Sequence, residues 1–320
     1  MNNFGRNFRI SIFGESHGPK IGLVIDGTPS GIPLSGEDFV SDLSRRRSGK
    51  PGTTPRVEGD LPEIVSGVYN GYTTGAPICI LFSNDNTRSA DYIELADKPR
   101  PGHADFVSML KRGGYVDPRG GGHHSGRITL TMVTAGVIAK KILGNISIEA
   151  KLIRVGGKES WDDLLEKTRE EGDSLGGIVE CTAKNMPVGL GEPFFDSLES
   201  LLSHAIFSIP GIRGIEFGDG FAASAMKGSD HNDPIIDSNG KTSKNGAGGI
   251  NGGISNGNDL LFRVAVKPTS SISKSQQTFN FSTGKVEELQ IAGRHDTCFA
   301  LRVPVVVEAA TAIVLADLIL

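Results

Sequence analysis

Three glycines followed by two histidines, a serine and an arginine form the run Arg119-Gly-Gly-Gly-His-His-Ser-Gly-Arg127, the stretch whose residue types best suit chemistry. Successive glycines leave the backbone bare and able to take positive φ. The run leads into Ile128, Met132, Ala135, Ile138, Ala139 and Ile142, whose three- and four-residue steps predict a helix. A glycine loop opening a helix presents unpaired N–H groups and the positive end of the helix dipole, a seat for an anion or a polar ring edge. Arg127 falls in the first turn, where the dipole disfavours a cation, and a residue set against its local preference points to function. A glycine-rich turn carrying solvated polar residues explains this stretch alone equally well.

Four other loops carry cationic or titratable groups among glycines and prolines. Gly14-Glu-Ser-His-Gly18 places His17 at the end of a predicted strand, where loops carry chemistry, although a lone loop histidine is more often a surface residue. Arg100-Pro-Gly-His-Ala-Asp105 is a rigid turn in which Arg100 and His103 can face one volume. Lys267-Pro-Thr-Ser-Ser271 puts a lysine and three hydroxyls at a strand end, which suits a phosphate. Gly293-Arg-His-Asp-Thr-Cys298 holds Arg294, His295 and Asp296, and a strand there would send Arg294 and Asp296 to one face. Arg45-Arg46-Arg47, with Lys50 and Arg56 nearby, exceeds what capping a helix C-terminus needs, so a phosphate or carboxylate site is a second explanation. Together these loops ask for an anionic ligand, because converging guanidinium groups need something to neutralise them.

The elements that would position them follow from periodicity. Phe8, Ile10 and Ile12 alternate along one strand, and residues 23–26 form a second. Ser35 and Asp38 make a capping box ahead of a helix with Phe39, Val40 and Leu43 as its apolar stripe. Strands are expected within residues 73–82 and at 146–153, 177–183 and 260–266, and a polar helix at 162–171. A second amphipathic helix carries Phe195, Leu198, Leu201, Leu202, Ala205 and Ile206, with His204 as a partly buried structural residue, and stops at Pro210-Gly211. Residues 229–249 are expected to form a mobile loop, in the manner of a lid. Residues 303–320 predict a buried helix with Pro304 near its start, not a membrane span.

The 320 residues can bury a substantial core, and no repeat, linker or composition break interrupts them, which predicts one domain over 1–320. A net charge of −4 and 6% aromatic residues argue against a nucleic-acid partner. Three distant cysteines form neither a disulfide framework nor a metal cluster and fit a reducing compartment. The N-terminal residues lack the apolar region of a signal peptide, so a cytoplasmic location is expected, without membrane partners. No histidine–carboxylate spacing matches a zinc site, and no metal is expected. No glycine run is a Walker loop or a dinucleotide fingerprint in its required setting.

In this order, Gly14-Glu-Ser-His-Gly18, Arg100-Pro-Gly-His-Ala-Asp105, Arg119-Gly-Gly-Gly122, Lys267-Pro-Thr-Ser-Ser-Ile272 and Gly293-Arg-His-Asp296 resemble the motifs of chorismate synthases. The resemblance spans nearly the whole chain and includes Gly189-Leu-Gly-Glu-Pro193 and Glu216-Phe-Gly-Asp-Gly220. It implies an α+β, single-domain β-α-β sandwich with flexible active-site loops, usually assembled as a homotetramer. It also implies a carbon–oxygen lyase acting on 5-enolpyruvylshikimate 3-phosphate, the last step of the shikimate pathway to aromatic amino acids. Reduced FMN is required without net redox change, and NADPH serves some members as reductant.

Carried onto this sequence, the resemblance implies His17, His103 and Asp296 as catalytic residues. His17 would lie beside the flavin, His103 near the substrate, and Asp296 near the central flavin ring. Arg46, Arg100 and Arg127 would hold the substrate's phosphate and carboxylates. His123, His124, Ser125, Pro210, Gly211, Gly252, Lys267, Pro268, Thr269, Ser270, Ser271 and Arg294 match flavin positions. The chain departs from the commonest pattern at His123-His-Ser-Gly-Arg-Ile-Thr129, where many members have Arg-Ser-Ser-Ala-Arg-Glu-Thr. Pro210-Gly211 replaces a common Asn-Ala pair and can contact a ligand only through backbone or packing. Two alternatives are a flavin- or phosphate-binding protein without catalysis and a bifunctional enzyme that reduces its own flavin; the absence of an extra reductase module favours the plain lyase.

Overall fold

A computed structural model describes residues 2–49, 51–54, 58–86, 97–291 and 295–320. Its first sheet comprises β1 (Asn3–Phe4), β2 (Arg9–Gly14), β3 (Lys20–Asp26), β4 (Glu63–Ile64) and, after a two-residue ladder of β5 (Val68–Tyr69) with β6 (Tyr72–Thr73), β7 (Ile78–Ser83). Its order is β1-β2-β3-β7-β4, antiparallel throughout. The second sheet has β8 (Ser147–Val155), β9 (Gly177–Lys184), β10 (Ile212–Phe217) and, beyond a ladder of β11 (Ile250–Asn251) with β12 (Ile254–Ser255), β13 (Leu260–Val266). Its order is β10-β13-β9-β8, again antiparallel. A hairpin of β14 (Gln276–Asn280) and β15 (Lys285–Leu289) stands apart. The helices are α1 (Val40–Arg46), α2 (Asp105–Lys111), α3 (Thr129–Leu143), α4 (Asp162–Glu170), α5 (Leu198–Phe207), α6 (Gly228–His231) and α7 (Pro304–Ile319).

The strands are half-apolar and the central helices apolar all round, which dictates the layering. On β3, Ile21, Leu23 and Ile25 pair across to Phe82, Ile80 and Ile78 of β7, so one face of the first sheet is a continuous aliphatic surface. On β13, Leu260, Phe262 and Val264 pair with Ala183, Cys181 and Val179 of β9, giving the second sheet the same kind of face. Helices α3 and α7 bury nearly every residue, as helices without a polar side must. They fill the space between the sheets: α3 packs on β2 and β3, and α7 on β8 and β9. The result is a sheet–helix–sheet sandwich whose single main hydrophobic cluster draws on both sheets and the helices between them.

Close approach of the two central helices requires a glycine. A Cβ at Gly136 of α3 would lie 2.4 Å from the Cβ of Ala309 in α7. The buried hydroxyls of Thr131, Thr134 and Thr311 donate to carbonyls three or four residues back, so the polar atoms in this layer are satisfied. Glu308 is 2% exposed and accepts from Arg45, Lys140 and the Ala150 N–H. Asp317, near the end of α7, accepts the backbone N–H groups of Arg6, Asn7 and Phe8 at 2.7, 2.6 and 2.8 Å, pinning the chain's entry into β2.

Several expectations need correction. The capping box at Ser35 and Asp38 forms, but it opens a short 3₁₀ turn, Gly36–Phe39, ahead of α1. The change of pitch turns Val40 outward, leaving Phe39 and Leu43 to anchor the helix. Phe195 precedes α5 and stands 93% exposed, because the helix begins only at Leu198, capped by Ser197. His204 is exposed too, with its ring edge-on to Phe4 at 5.5 Å. Residues 229–249 are tied down: Asp233 accepts the N–H groups of Gly246 and Ala247, Ile235 bridges Thr242, and Asn258 receives the Thr242 N–H. Short polar side chains that bond neighbouring backbone build structure in a composition that reads as loop.

Candidate active site around the glycine loop

The glycine run takes a path only glycine allows. Gly120, Gly121 and Gly122 have φ of 61°, 85° and 54°, and a Cβ at Gly122 would lie 2.2 Å from the carbonyl oxygen of Asp117. The bare backbone receives two histidines side by side. A Cβ at Gly120 would sit 2.8 Å from His17 Nε2 and 2.7 Å from Ser16 Oγ, and one at Gly121 would sit 3.4 Å from His103 Nε2. Ser16 N–H donates to the Gly122 carbonyl at 3.0 Å, locking the His17 loop to the glycine loop. The predicted helix follows as α3, but a 3₁₀ turn at Gly126–Ile128 intervenes and Ser125 Oγ accepts the Arg127 N–H at 3.2 Å. One N–H expected to be open to a ligand is thus satisfied within the loop, and the cationic groups gather elsewhere.

They gather around Asp60. Arg46 and Arg127, both buried, reach its two carboxylate oxygens, Arg46 Nη2 at 3.2 Å to Oδ2 and Arg127 Nη1 to Oδ1. Arg47 Nε approaches at 3.8 Å. Burial pushes the Arg46 guanidinium down to about 10 against the opposing pull of Asp60, helped by the like charges of Arg302 and Arg127. Burial alone would raise Asp60, but Arg46 and Arg127 hold it below the usual carboxylate range. Arg302 pairs with Asp296, which also accepts the Thr54 N–H at 2.8 Å. The Nε atoms of Arg46, Arg47 and Arg302 are buried without a hydrogen-bond partner among the described residues. Four guanidiniums against two carboxylates leave a positive balance, and unpaired buried donors are costly unless a ligand meets them.

Asn84 joins the two groups. Its Nδ2 donates to the carbonyls of Glu15 and Gly18 at 3.1 and 2.8 Å, and its Oδ1 accepts from Arg127 Nε at 3.1 Å. The His17 loop and the guanidinium cluster therefore share one rigid amide.

On the other side of the glycine loop, Arg100 Nη1 donates to Ser271 Oγ at 3.0 Å, and its Nε and Nη2 donate to Asp105 at 2.7 and 2.8 Å. Each guanidinium nitrogen of Arg100 thus has a protein partner, as does each of Arg127 through Asn84, Asp60 and the Ser83 carbonyl, whereas Arg46 keeps an Nε without one among the described residues. Lys267 Nζ donates to the Gly102 carbonyl at 2.6 Å and to Ser270 Oγ at 2.5 Å, so the two motifs grip one another. Burial lowers the Lys267 ammonium below its ordinary value. Lys267 N–H donates to the Gly211 carbonyl, bringing Pro210-Gly211 beside this turn. Pro268 packs on Gly176, while Thr269 keeps a buried hydroxyl without a hydrogen-bond partner among the described residues.

The remaining expected residues separate. His123 spans the Gly14 carbonyl at 2.7 Å and Asn2 Oδ1 at 3.2 Å, fastening the loop to β2. His124 lines a cavity of about 310 Å³ with His103, Gly121, Phe106, Met109 and Phe281. Burial, then His123, His103 and Arg112, lower its pKa. Gly252 takes φ of 62° with nothing within 4 Å of where a Cβ would stand, and its neighbour Gly253 packs on Ser197 at the start of α5. Arg294, Lys50 and Arg56 lie outside the described residues, and no strand carries Asp296.

Sequence reasoning missed Asp60, Asn84 and Arg302, and gave Asp105 no role. Asp60 adopts φ of 49°, against its preference, but nothing in its neighbours signals that. Asn84 sits just past β7, and Arg302 just before the proline that opens α7, so neither belongs to a motif. No group of three or more potential metal ligands is found among the described residues, and no helix among them is long and apolar enough to cross a membrane.

A family model described as chorismate synthase matches residues 8–320. The chain is 61% identical over 321 residues to the chorismate synthase of Chitinophaga pinensis, covering 100% of this chain and 97% of that protein. It is 48% identical to a chorismate synthase of Dehalococcoides mccartyi, covering 100% and 96%, and 45% identical to that of Korarchaeum cryptofilum, covering 98% and 96%. A crystal structure of chorismate synthase superposes with a TM-score of 0.76 at 27% identity, over 98% of this chain and 92% of that one.

Proposed function

The chain belongs to the chorismate synthase family, and on that premise we propose that it eliminates phosphate from 5-enolpyruvylshikimate 3-phosphate to give chorismate, with reduced FMN as its cofactor. One observation carries this reading: two histidines pack on consecutive glycines of a single loop, and one asparagine ties that loop's partner to a guanidinium cluster of net positive charge.

Each group has work that fits. The substrate is polyanionic; Arg46, Arg47 and Arg302 offer buried donors without a hydrogen-bond partner among the described residues for its phosphate and carboxylates, and Arg127 adds its charge. Phosphate departure builds negative charge, which fixed guanidiniums stabilise because their dipoles need no reorganisation. His17 and His103 bring imidazole groups that can serve as proton donor or acceptor to this loop. Asp296, held by Arg302 and the Thr54 N–H, would assist proton movement in this reading.

The residues fit a flavin. Gly120 and Gly121 bring His17 and His103 to one loop, Thr269 keeps a buried hydroxyl without a hydrogen-bond partner among the described residues, and Lys267 and Ser270 present cation and hydroxyl on the same turn. When bound, reduced FMN would supply electron density to the ring from which phosphate departs; the protein would supply placement and exclusion of water. Residues 267–271, Pro210, Gly211, His124 and Ser125 would hold it. We also propose a homotetramer, for which the exposed Phe194, Phe195 and Phe221 offer apolar contact surface.

The decisive experiment is an anaerobic phosphate-release assay with chemically reduced FMN. The wild type should release phosphate in amounts equal to chorismate formed, and His17→Ala should lose at least 100-fold in kcat. Retained FMN binding with no phosphate release from the wild type refutes the lyase reading and leaves a binding protein.

A further inference from the structure

Asp105 lies at the centre of a constellation that the proposed chemistry leaves unassigned. Its Oδ1 is 2.6 Å from His103 Nδ1 and 2.8 Å from Arg100 Nη2. Its Oδ2 accepts from Arg100 Nε at 2.7 Å and from the Arg100 backbone N–H at 3.1 Å. The carboxylate is mostly buried, and its acidity is set by that burial, which opposes ionisation, against Arg100 and His103, which favour it; the partners win and hold it well below the usual range.

The contacts decide the tautomer of His103. Arg100 Nη2 lies 3.1 Å from His103 Nδ1, but a guanidinium nitrogen can only donate. The carboxylate oxygen is closer to Nδ1, and it is an acceptor only. Nδ1 therefore carries the proton and donates it to Asp105, while Nη2 donates to the same oxygen; their mutual approach follows from sharing it. Nε2 is left as the exchanging nitrogen, a base when the ring is neutral and an acid when it is protonated. That nitrogen faces the glycine loop, against Gly121.

The clamp is braced from behind. Arg100 is itself fixed by Ser271, and Gly102, between Arg100 and His103, is held through its carbonyl by Lys267 and Ser270. Among the described residues, the charged and titratable groups around the His103 ring are Arg100 and Asp105 from its own turn, Lys267 from the end of β13, His124, Asp117 and Asp97 lining the same cavity, and His17 beyond Gly120.

We propose that Asp105 is a positioning residue for the reaction: it fixes the His103 tautomer and aims Nε2 at the glycine loop, while Arg100 serves as the brace of this carboxylate. The inference rests on the lyase reading for its kinetic consequences, but its structural content can be read without turnover.

The test combines Asp105→Asn, Asp105→Glu, phosphate release from pH 5.5 to 9, and nitrogen NMR of histidine-labelled protein. In the wild type the neutral His103 ring should show a protonated Nδ1 and a bare Nε2. Asp105→Asn keeps the side-chain volume and an oxygen acceptor but removes the charge. It should lower kcat by about 100-fold with KM changed by less than about threefold. It should also move the histidine-dependent limb of the profile to lower pH by about one unit, and populate the Nε2-protonated form. Asp105→Glu should recover about tenfold of the lost kcat. An unmoved limb and unchanged tautomer in a folded Asp105→Asn protein overturn the proposal. So does a wild-type His103 with its proton on Nε2, a result that stands even if Asp105→Asn fails to fold. Failure of the wild type to release phosphate strikes at the function instead, and leaves the tautomer measurement to judge Asp105.

Discussion

Replacing Gly120 with alanine adds one carbon at the contact between the glycine loop and His17. The added Cβ would stand 2.8 Å from both Cδ2 and Nε2 of the imidazole and 2.7 Å from Ser16 Oγ. Ordinary carbon contacts lie near 3.5–4.0 Å, so the ring must retreat by roughly 1 Å. The loop cannot give way instead, because Ser16 N–H is bonded to the Gly122 carbonyl and a Cβ-bearing chain at φ of 61° is already strained. That strain costs about 1–2 kcal/mol for a non-glycine residue, which lowers Tm by only a few degrees in a chain of this size. Displacement of a reacting group by 1 Å costs about 100-fold in rate. Gly120→Ala should therefore lose about 100-fold in kcat while remaining folded. Gly126→Ala is the control: it lies in the same loop, has no positive φ, and its Cβ would meet nothing within 4 Å. Stopped-flow phosphate release and thermal melts on both variants measure the two effects separately. If Gly120→Ala keeps wild-type kcat within about threefold, the packing of His17 on this loop does not matter to the reaction.

Four further outcomes are expected. Asp60→Ala leaves Arg46 and Arg127 buried without their carboxylate and should destabilise the fold by about 3–5 kcal/mol, read from urea denaturation. The folded-state pKa values of Asp60, Asp105 and Glu308 all lie below their ordinary values, so their stabilisation is complete above the unfolded carboxylate values near pH 4. It is lost as pH falls through the folded values; the denaturation midpoint should be insensitive to these groups from pH 6 to 8 and should drop progressively below about pH 4. Gly136→Ala should cost about 1–3 kcal/mol through overlap with Ala309, without changing KM, as a urea melt and a substrate titration would show. Anaerobic NADPH, added without another reductase, should leave the oxidised FMN spectrum unbleached if the chain is a plain lyase; bleaching would establish a second, reductase activity.

Local chemistry determines much of this protein on its own. Alternating Phe8, Ile10 and Ile12, the helical step of residues 128–142 and the proline-led apolar tail are properties of neighbouring residues, and each became the element expected. Arg100, His103 and Asp105 could be seen as one group because a proline–glycine turn leaves few ways to arrange six residues. Where pitch or solvent face depends on one residue's placement, as at Val40, Phe195 and His204, periodicity alone misjudged burial.

Tertiary structure decided which of the charged loops met, and what each charge was for. Asp60, some 67 residues before Arg127 in sequence, became the counter-ion of the guanidinium cluster only because the first sheet and the glycine loop fold onto each other. Asn84 bridges Arg127 and the His17 loop for the same reason. Arg100 and Arg127 look alike in sequence, yet one braces a carboxylate beside a histidine and the other joins a net positive cluster. A guanidinium carries the same five donors wherever it stands; only long-range packing fixes which acceptors come within 3 Å and which donors are left for a ligand.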